Sequence, residues 1–273
     1  GLNYYPKMVS AIPFTPITGD RILANDIEVK KAMIKAIEKI LIEYKISSCH
    51  ILFPNKKDHE LFNEMGWLAR KGVQFKWQNN SYATFDEFLQ TLSHDKRKKI
   101  KQERKKIEKN GIHIERKQGE DITSEDIDFF YECYCETYRL HNSTPYLQKY
   151  FFYELAKTIP NKLLIIIAKK NGISIASAFN IIGEDSLYGR YWGALEFFSG
   201  LHFELCYYQG QEFCIENNIK FFEGGAQGEH KLARGFKPFD TYSNHFIAQS
   251  DFRVAISNFL NDERSRINEY SNE

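Results

Sequence analysis

The strongest constraint on this chain is an order of secondary-structure signals that occurs twice. Residues 4–12 alternate like a strand, a Pro/Thr/Gly loop follows at 13–21, and Ile27, Ile34, Ile37 and Leu41 predict a helix over 26–44 behind Asp26 as N-cap. A short buried strand at 49–53, a helix at 57–65 closed by Gly66 and a strand at 73–77 complete the set. The same order returns as strand 187–193, loop 195–200, helix 201–217, strand 220–223, short helix 229–234 closed by Gly235 and strand 241–249. In both places an aromatic residue, Trp67 or Phe236, stands directly after the helix-ending glycine. Two copies of one α/β unit are the simplest explanation.

Upstream of the second copy the signals extend further. Residues 112–116 read as a strand, 124–141 as a long helix with Ser124 as N-cap, and 146–158 as a helix stopped by Pro160. Residues 163–169, 173–182 and 187–193 then form an antiparallel meander, with Asn171-Gly172 suited to a tight hairpin turn. The first copy shows no counterpart of these earlier strands, and the chain opens on Gly1 inside a strand-like run, a start that an imposed boundary or a lost upstream segment would equally give.

Composition narrows the class. With 42% hydrophobic and 15% aromatic residues in 273, the chain has enough apolar surface for sizeable cores. Lys and Arg (37) nearly balance Asp and Glu (36), so attraction to nucleic acid or an anionic surface has to come from a local patch. The five cysteines (49, 133, 135, 206 and 214) form no CxxC pair and lie mostly in apolar periodic segments, which predicts reduced thiols and a cytoplasmic protein. No apolar run is long enough to span a membrane, and no charged-then-apolar leader opens the chain, so neither a membrane span nor a secretory signal is expected.

Site chemistry concentrates at residues 224–236. Glycines at 224, 225 and 228 allow a sharp bend and close approach to a ligand, while Glu229, His230, Lys231 and Arg234 share one helical turn. Read as a ligand-facing cluster of exposed charges, this turn offers Glu229 or His230 as general base, Lys231 and Arg234 as anion clamps, and Gln227 with backbone N–H groups as oxyanion donors. A solvated glycine-rich turn stands as the plainer reading. Strict alternation places Tyr188, Arg190 and Trp192 on one strand face, a combination suited to an anionic or sugar-bearing ligand. His202 and Glu204 open the next helix and are expected to face the same cleft. The spacing of His202, Glu204, Glu229 and His230 matches no zinc pattern, and no metal is expected.

A second patch is basic. Nine Lys and Arg residues fall between 96 and 109, where only Ile100 and Ile107 supply an apolar stripe. Lys96, Arg97, Lys101, Arg104 and Lys105 are the candidate contacts to phosphate or nucleic acid. A solvated connector helix explains the same pattern.

The element order from 112 onward is that of the GNAT acetyltransferase fold, and longer motifs point to a particular family. The runs Tyr4-Tyr5-Pro6-Lys7, Pro13-Phe14-Thr15-Pro16 and Thr18-Gly19, the segment 93–111, residues 187–193 and 201–209, and the 224–236 motif together resemble the FemAB-like family of peptidoglycan biosynthesis or recognition proteins. The resemblance covers essentially the whole chain. It implies an α/β (α+β) fold of tandem GNAT-like acyltransferase domains, the first incomplete at its N-terminus. The implied divisions are 1–83, a basic helical connector at 84–111, a complete domain at 112–250 and a C-terminal helix at 251–273. It also implies acyl or aminoacyl transfer to an amine acceptor such as a peptidoglycan precursor, an anionic or muropeptide ligand, and no tightly bound cofactor. The donor is then either aminoacyl-tRNA, with tRNA as a partner, or acyl-CoA. Residues 193–200 carry Glu196 and bulky apolar side chains but no arginine where coenzyme A enzymes cradle pyrophosphate, which disfavours that carrier. A coenzyme A-dependent N-acetyltransferase and a non-catalytic module binding cell-wall fragments remain alternatives.

Overall fold

The structure is a computed structural model that describes residues 5–225 and 228–271, the side chains of Glu229, Asn261 and 264–271 excepted. Two compact units divide the chain: residues 1–74 with 238–273, and residues 75–237. These boundaries differ from those expected at 83, 111 and 250. The reason lies in two strands.

Unit 1 contains β1 (Lys7–Ser10), α1 (Ile27–Glu43), β2 (Ser48–Leu52), α2 (Lys56–Glu64), the start of β3 (Leu68–Gln78), most of β9 (Lys237–Ile247) and α9 (Ser250–Ser271). β2 pairs parallel with β1 and antiparallel with β9, Cys49 opposite Phe246. Asp26 caps α1 by accepting from the Glu28 N–H, as expected. The core gathers Ile34 and Leu41 of α1, Cys49 and Ile51 of β2, and Phe62 and Trp67 around α2.

Unit 2 contains the end of β3, α3 (Phe85–Gln90), α4 (His94–Lys109), β4 (Ile112–Gln118), α5 (Ser124–Leu140), α6 (Lys149–Thr158), β5 (Leu163–Lys170), β6 (Ile173–Ile182) and β7 (Ser186–Ala194). A helix follows in three parts, α7 (Leu201–Phe203), a π-helical turn over Glu204–Tyr208 and α8 (Gln209–Glu216), and then β8 (Phe221–Glu223) and a 3-10 helix at Glu229–Arg234. The strand order β3-β8-β7-β6-β5-β4 is antiparallel except for the parallel pair β7 and β8. β5 is apolar from Leu163 to Ala168 because it feeds two cores: Leu163, Ile165 and Ile167 face α5 and α6, while Leu164, Ile166 and Ala168 face the α4 and α8 side. Each such side chain contributes roughly 1.5–3 kcal/mol. α5 starts from Thr123, not Ser124, through a capping box with Asp126.

The repeated order is therefore present, but the first copy gives away the end of its last strand and the second copy nearly all of its own. β3 closes the first copy in sequence, yet Lys76, Trp77 and Gln78 pair with Glu223, Phe222 and Phe221 of β8. β9 closes the second copy, yet it pairs with β2. The glycine junctions match in detail: Trp67 N–H donates to Phe62 O and Phe236 N–H to Lys231 O, with Gly66 and Gly235 at φ 84° and 81°.

Candidate functional site

β7 pairs with β6 along most of its length but with β8 only over Ser186–Tyr188. From Gly189 onward the two parallel neighbours part, which leaves room beside β7 for a ligand. Where they part, β7 bulges. Tyr191 opposes Phe179 and Gly189 opposes Asn180, so Arg190 is an extra residue inserted into the register.

This bulge corrects the expectation that Tyr188, Arg190 and Trp192 share a face. One inserted residue reverses the parity of the strand. Trp192 packs on the core that holds Leu187, whereas Tyr191 packs on the α5 and α6 side against Tyr134 and Phe152. Gly193 shows why the chain has no side chain there: a Cβ would lie 1.9 Å from Cys133 O of α5.

Across the gap stands the helix from Leu201, which begins after Gly200 at φ 94°. Its π turn widens the helix where Cys206 and Tyr207 face the gap. The resulting cleft holds about 120 Å³, with Asn180, Gly189, Arg190, Trp192, His202 and Tyr207 in its wall. The His202 ring meets Trp192 edge-on at 4.8 Å, and burial pushes its pKa down to about 4, so it is neutral. A second pocket of about 310 Å³ shares Arg190, Tyr191 and Trp192 with the cleft and is walled by Tyr134, Tyr138 and Tyr146.

The 3-10 helix of the glycine motif supplies a different set of groups. His230 lies 3.0 Å from the Tyr207 hydroxyl through Nε2 and is exposed on its other side. Burial, with the positive charges of Arg234 and Lys231, lowers its pKa below 6.5. Burial raises that of Tyr207, so the phenol stays protonated. The pair is therefore a neutral hydrogen-bonded dyad.

Lys231 and Arg234, expected as exposed clamps, are 1% and 2% exposed. Arg234 donates to both carboxylate oxygens of Glu103, to the Tyr208 hydroxyl and to His230 O, with Phe203 stacked at 3.4 Å. Lys231 Nζ donates to Gly225 O at 2.6 Å. Both brace the turn from inside. Glu204 also turns inward, because residues two apart on a helix point about 200° apart. It pairs with Arg104 at 3.1 Å and accepts from Gln209 at 2.8 Å, away from His202. Glu229 lies in the 3-10 helix, but its side chain, like the whole of Gln227, lies outside the described residues.

The basic helix α4 is partly self-satisfied. Arg104 bridges Glu204 and Glu212, Lys101 pairs with Asp86, Lys96 donates to Leu232 O and Arg97 to Gln90 O. Lys105 stays exposed. Sequence reasoning missed Tyr207, Asn180 and the tyrosine pocket. Tyr207 lies in an aromatic-rich helix whose pattern reads as core, and only the π turn brings it to the cleft. Among the described residues no three His, Cys, Asp or Glu side chains gather as a metal site.

The sequence matches the FemAB-like family, described as peptidoglycan biosynthesis/recognition, over residues 1–273. The chain belongs to that family. No curated protein matches it. Among solved structures, FemX is similar at 11% identity with a TM-score of 0.56, covering 90% of this chain and 85% of that one. L-PGS from Bacillus licheniformis is similar at 14% identity with a TM-score of 0.57, covering 83% of this chain and 77% of that one. At such identities the likeness is one of fold, and it agrees with the mixed α/β class expected of this FemAB-like chain. Among its described residues no helix is long and apolar enough to cross a membrane.

Proposed function

We propose that this FemAB-like protein transfers an acyl or aminoacyl group to an amine in the cleft beside β7. The observation that carries the reading is the Tyr207 hydroxyl, set in the cleft wall and joined at 3.0 Å to a histidine whose charged form is disfavoured. The acceptor amine attacks the donor carbonyl carbon; the C–N bond forms and the bond to the carrier oxygen or sulfur breaks. The amine proton passes to Tyr207 as the phenolic proton moves to His230 Nε2, and the carrier leaves as an alcohol or thiol after taking up a proton. Arg190, at the bulge shared by both pockets, suits a carboxylate or phosphate on the ligand.

Membership of a family described as peptidoglycan biosynthesis/recognition favours a peptidoglycan precursor as acceptor, and aminoacyl-tRNA is the donor taken with it in this proposal. The β7–α7 loop disfavours coenzyme A, since Glu196 and the protruding Phe197 occupy the place of a phosphate cradle. The test presents aminoacyl-tRNA and acyl-CoA separately, with a nucleotide-linked muropeptide as acceptor. Transfer from the aminoacyl ester that Tyr207→Phe suppresses is the expected result. Tight muropeptide binding without turnover of either donor overturns the reading in favour of a binding module.

A further inference from the structure

One end of unit 2 carries apolar side chains that its cores do not use. The β5–β6 hairpin turns at Asn171-Gly172, β7 ends at Ala194 opposite Ala176, and Leu195 N–H donates to Ile175 O at 2.8 Å, so hairpin and β7–α7 loop lie side by side. From them project Phe197, 93% exposed, Ile173, 68%, and Leu195, 42%. A phenylalanine left almost wholly in water at a loop tip costs hydration free energy and supports nothing in the fold.

Cations flank this tip. Lys170 Nζ lies 4.6 Å over Phe198, and Lys170 pairs in register with Ile112, the residue that follows α4 and its Gly111 turn. A Cβ on Gly200 would lie 3.8 Å from Glu103 Cβ, so the loop runs against α4, whose Lys99, Lys106 and Lys109 are exposed. Glu108 and Glu196 share this end, while Lys169 is matched by Glu115 at 2.8 Å, which leaves positive charge in excess.

We propose that this end of unit 2 is a docking surface for an anionic phospholipid bilayer, with Phe197, Ile173 and Leu195 entering the headgroup layer and the lysines of α4 and Lys170 meeting lipid phosphates. Branched aliphatic side chains beside the aromatic favour hydrocarbon over stacked bases, which makes lipid a better partner than nucleic acid. The surface lies outside the transfer cleft, so the inference stands apart from the proposed reaction.

The experiment is co-sedimentation of the whole chain with vesicles of phosphatidylcholine alone and of phosphatidylcholine mixed equally with phosphatidylglycerol. Binding to the anionic vesicles is expected, with loss in high salt. Phe197→Ser should weaken it roughly tenfold with an unchanged melting temperature, as an interfacial side chain requires. Lys106→Glu with Lys109→Glu should abolish it. Equal sedimentation with both vesicle types, or wild-type binding by Phe197→Ser, overturns the proposal. So does binding of bulk tRNA that Phe197→Ser weakens in the absence of any sedimentation with vesicles, which assigns the surface to nucleic acid.

Discussion

Arg234 Nη2 lies 3.0 and 2.9 Å from the two carboxylate oxygens of Glu103, so a residue of the glycine motif is fastened to the basic helix by the acid that interrupts its lysines. Arg234 is 2% exposed, and removing one partner strands the other in a dry environment. Arg234→Ala is expected to cost about 3–5 kcal/mol in urea denaturation. Arg234→Lys should recover little, because an ammonium cannot reproduce the forked contacts to Glu103, Tyr208 and His230 O. A loss within about 0.5 kcal/mol, the usual scale for exposed sites, would show that the brace carries no stability.

Lys231 occupies the place that Phe62 holds in the other copy, counted back from the glycine junction, and burial lowers its pKa from 10.5 to about 8. A lysine with a depressed folded value binds fewer protons folded than unfolded between those limits. Its burial therefore costs stability at pH 7, and the cost fades as pH rises from about 8 towards 10.5. The stability of Lys231→Met relative to wild type should accordingly fall by about 3 kcal/mol across that window. Parallel pH curves for the two proteins would refute this.

Gly193→Ala tests the packing behind the cleft. Its Cβ would meet the Cys133 carbonyl oxygen at 1.9 Å and the Thr137 hydroxyl at 2.8 Å, both on α5. Backbone cannot swing aside as a side chain tip can, so the cost should reach or exceed the ~1–3 kcal/mol typical of overpacking. Chemical denaturation measures it. Gly172→Ala, with nothing within 4 Å but φ 78°, should cost only its backbone strain, of order 1 kcal/mol.

For the dyad, Tyr207→Phe and His230→Ala are each expected to lower kcat by about 10²–10⁴, with the double variant no worse than either single one. Because the pKa of His230 lies below 6.5, the acid limb of kcat/KM should fall below that pH and vanish in His230→Ala. Additive losses would mean that the two groups act separately.

The sequence revealed the repeat, the meander and the glycine junctions because those rest on local spacing: Asn171-Gly172, Gly66-Trp67 and Gly235-Phe236 behave as their types require. Pairing between distant strands leaves no such local mark, so the destinations of β3 and β9 were not legible. Of the candidate site, the sequence showed residue types and spacing, not which side chains reach the cleft. His202, Arg190, Trp192 and His230 do gather near one opening. A single inserted residue at Arg190 defeated the face assignment of Tyr188, and charge alone did not reveal that Lys231, Arg234 and Glu204 are turned inward.

The way β3 and β9 pair has a consequence for how such a chain can be cut. The copies legible in sequence are not the compact units of the structure, since unit 1 takes β9 from the second stretch and unit 2 the end of β3 from the first. A cut between the two stretches would therefore part β2 from β9 and β8 from the end of β3, leaving neither stretch with the closing strand its compact unit uses.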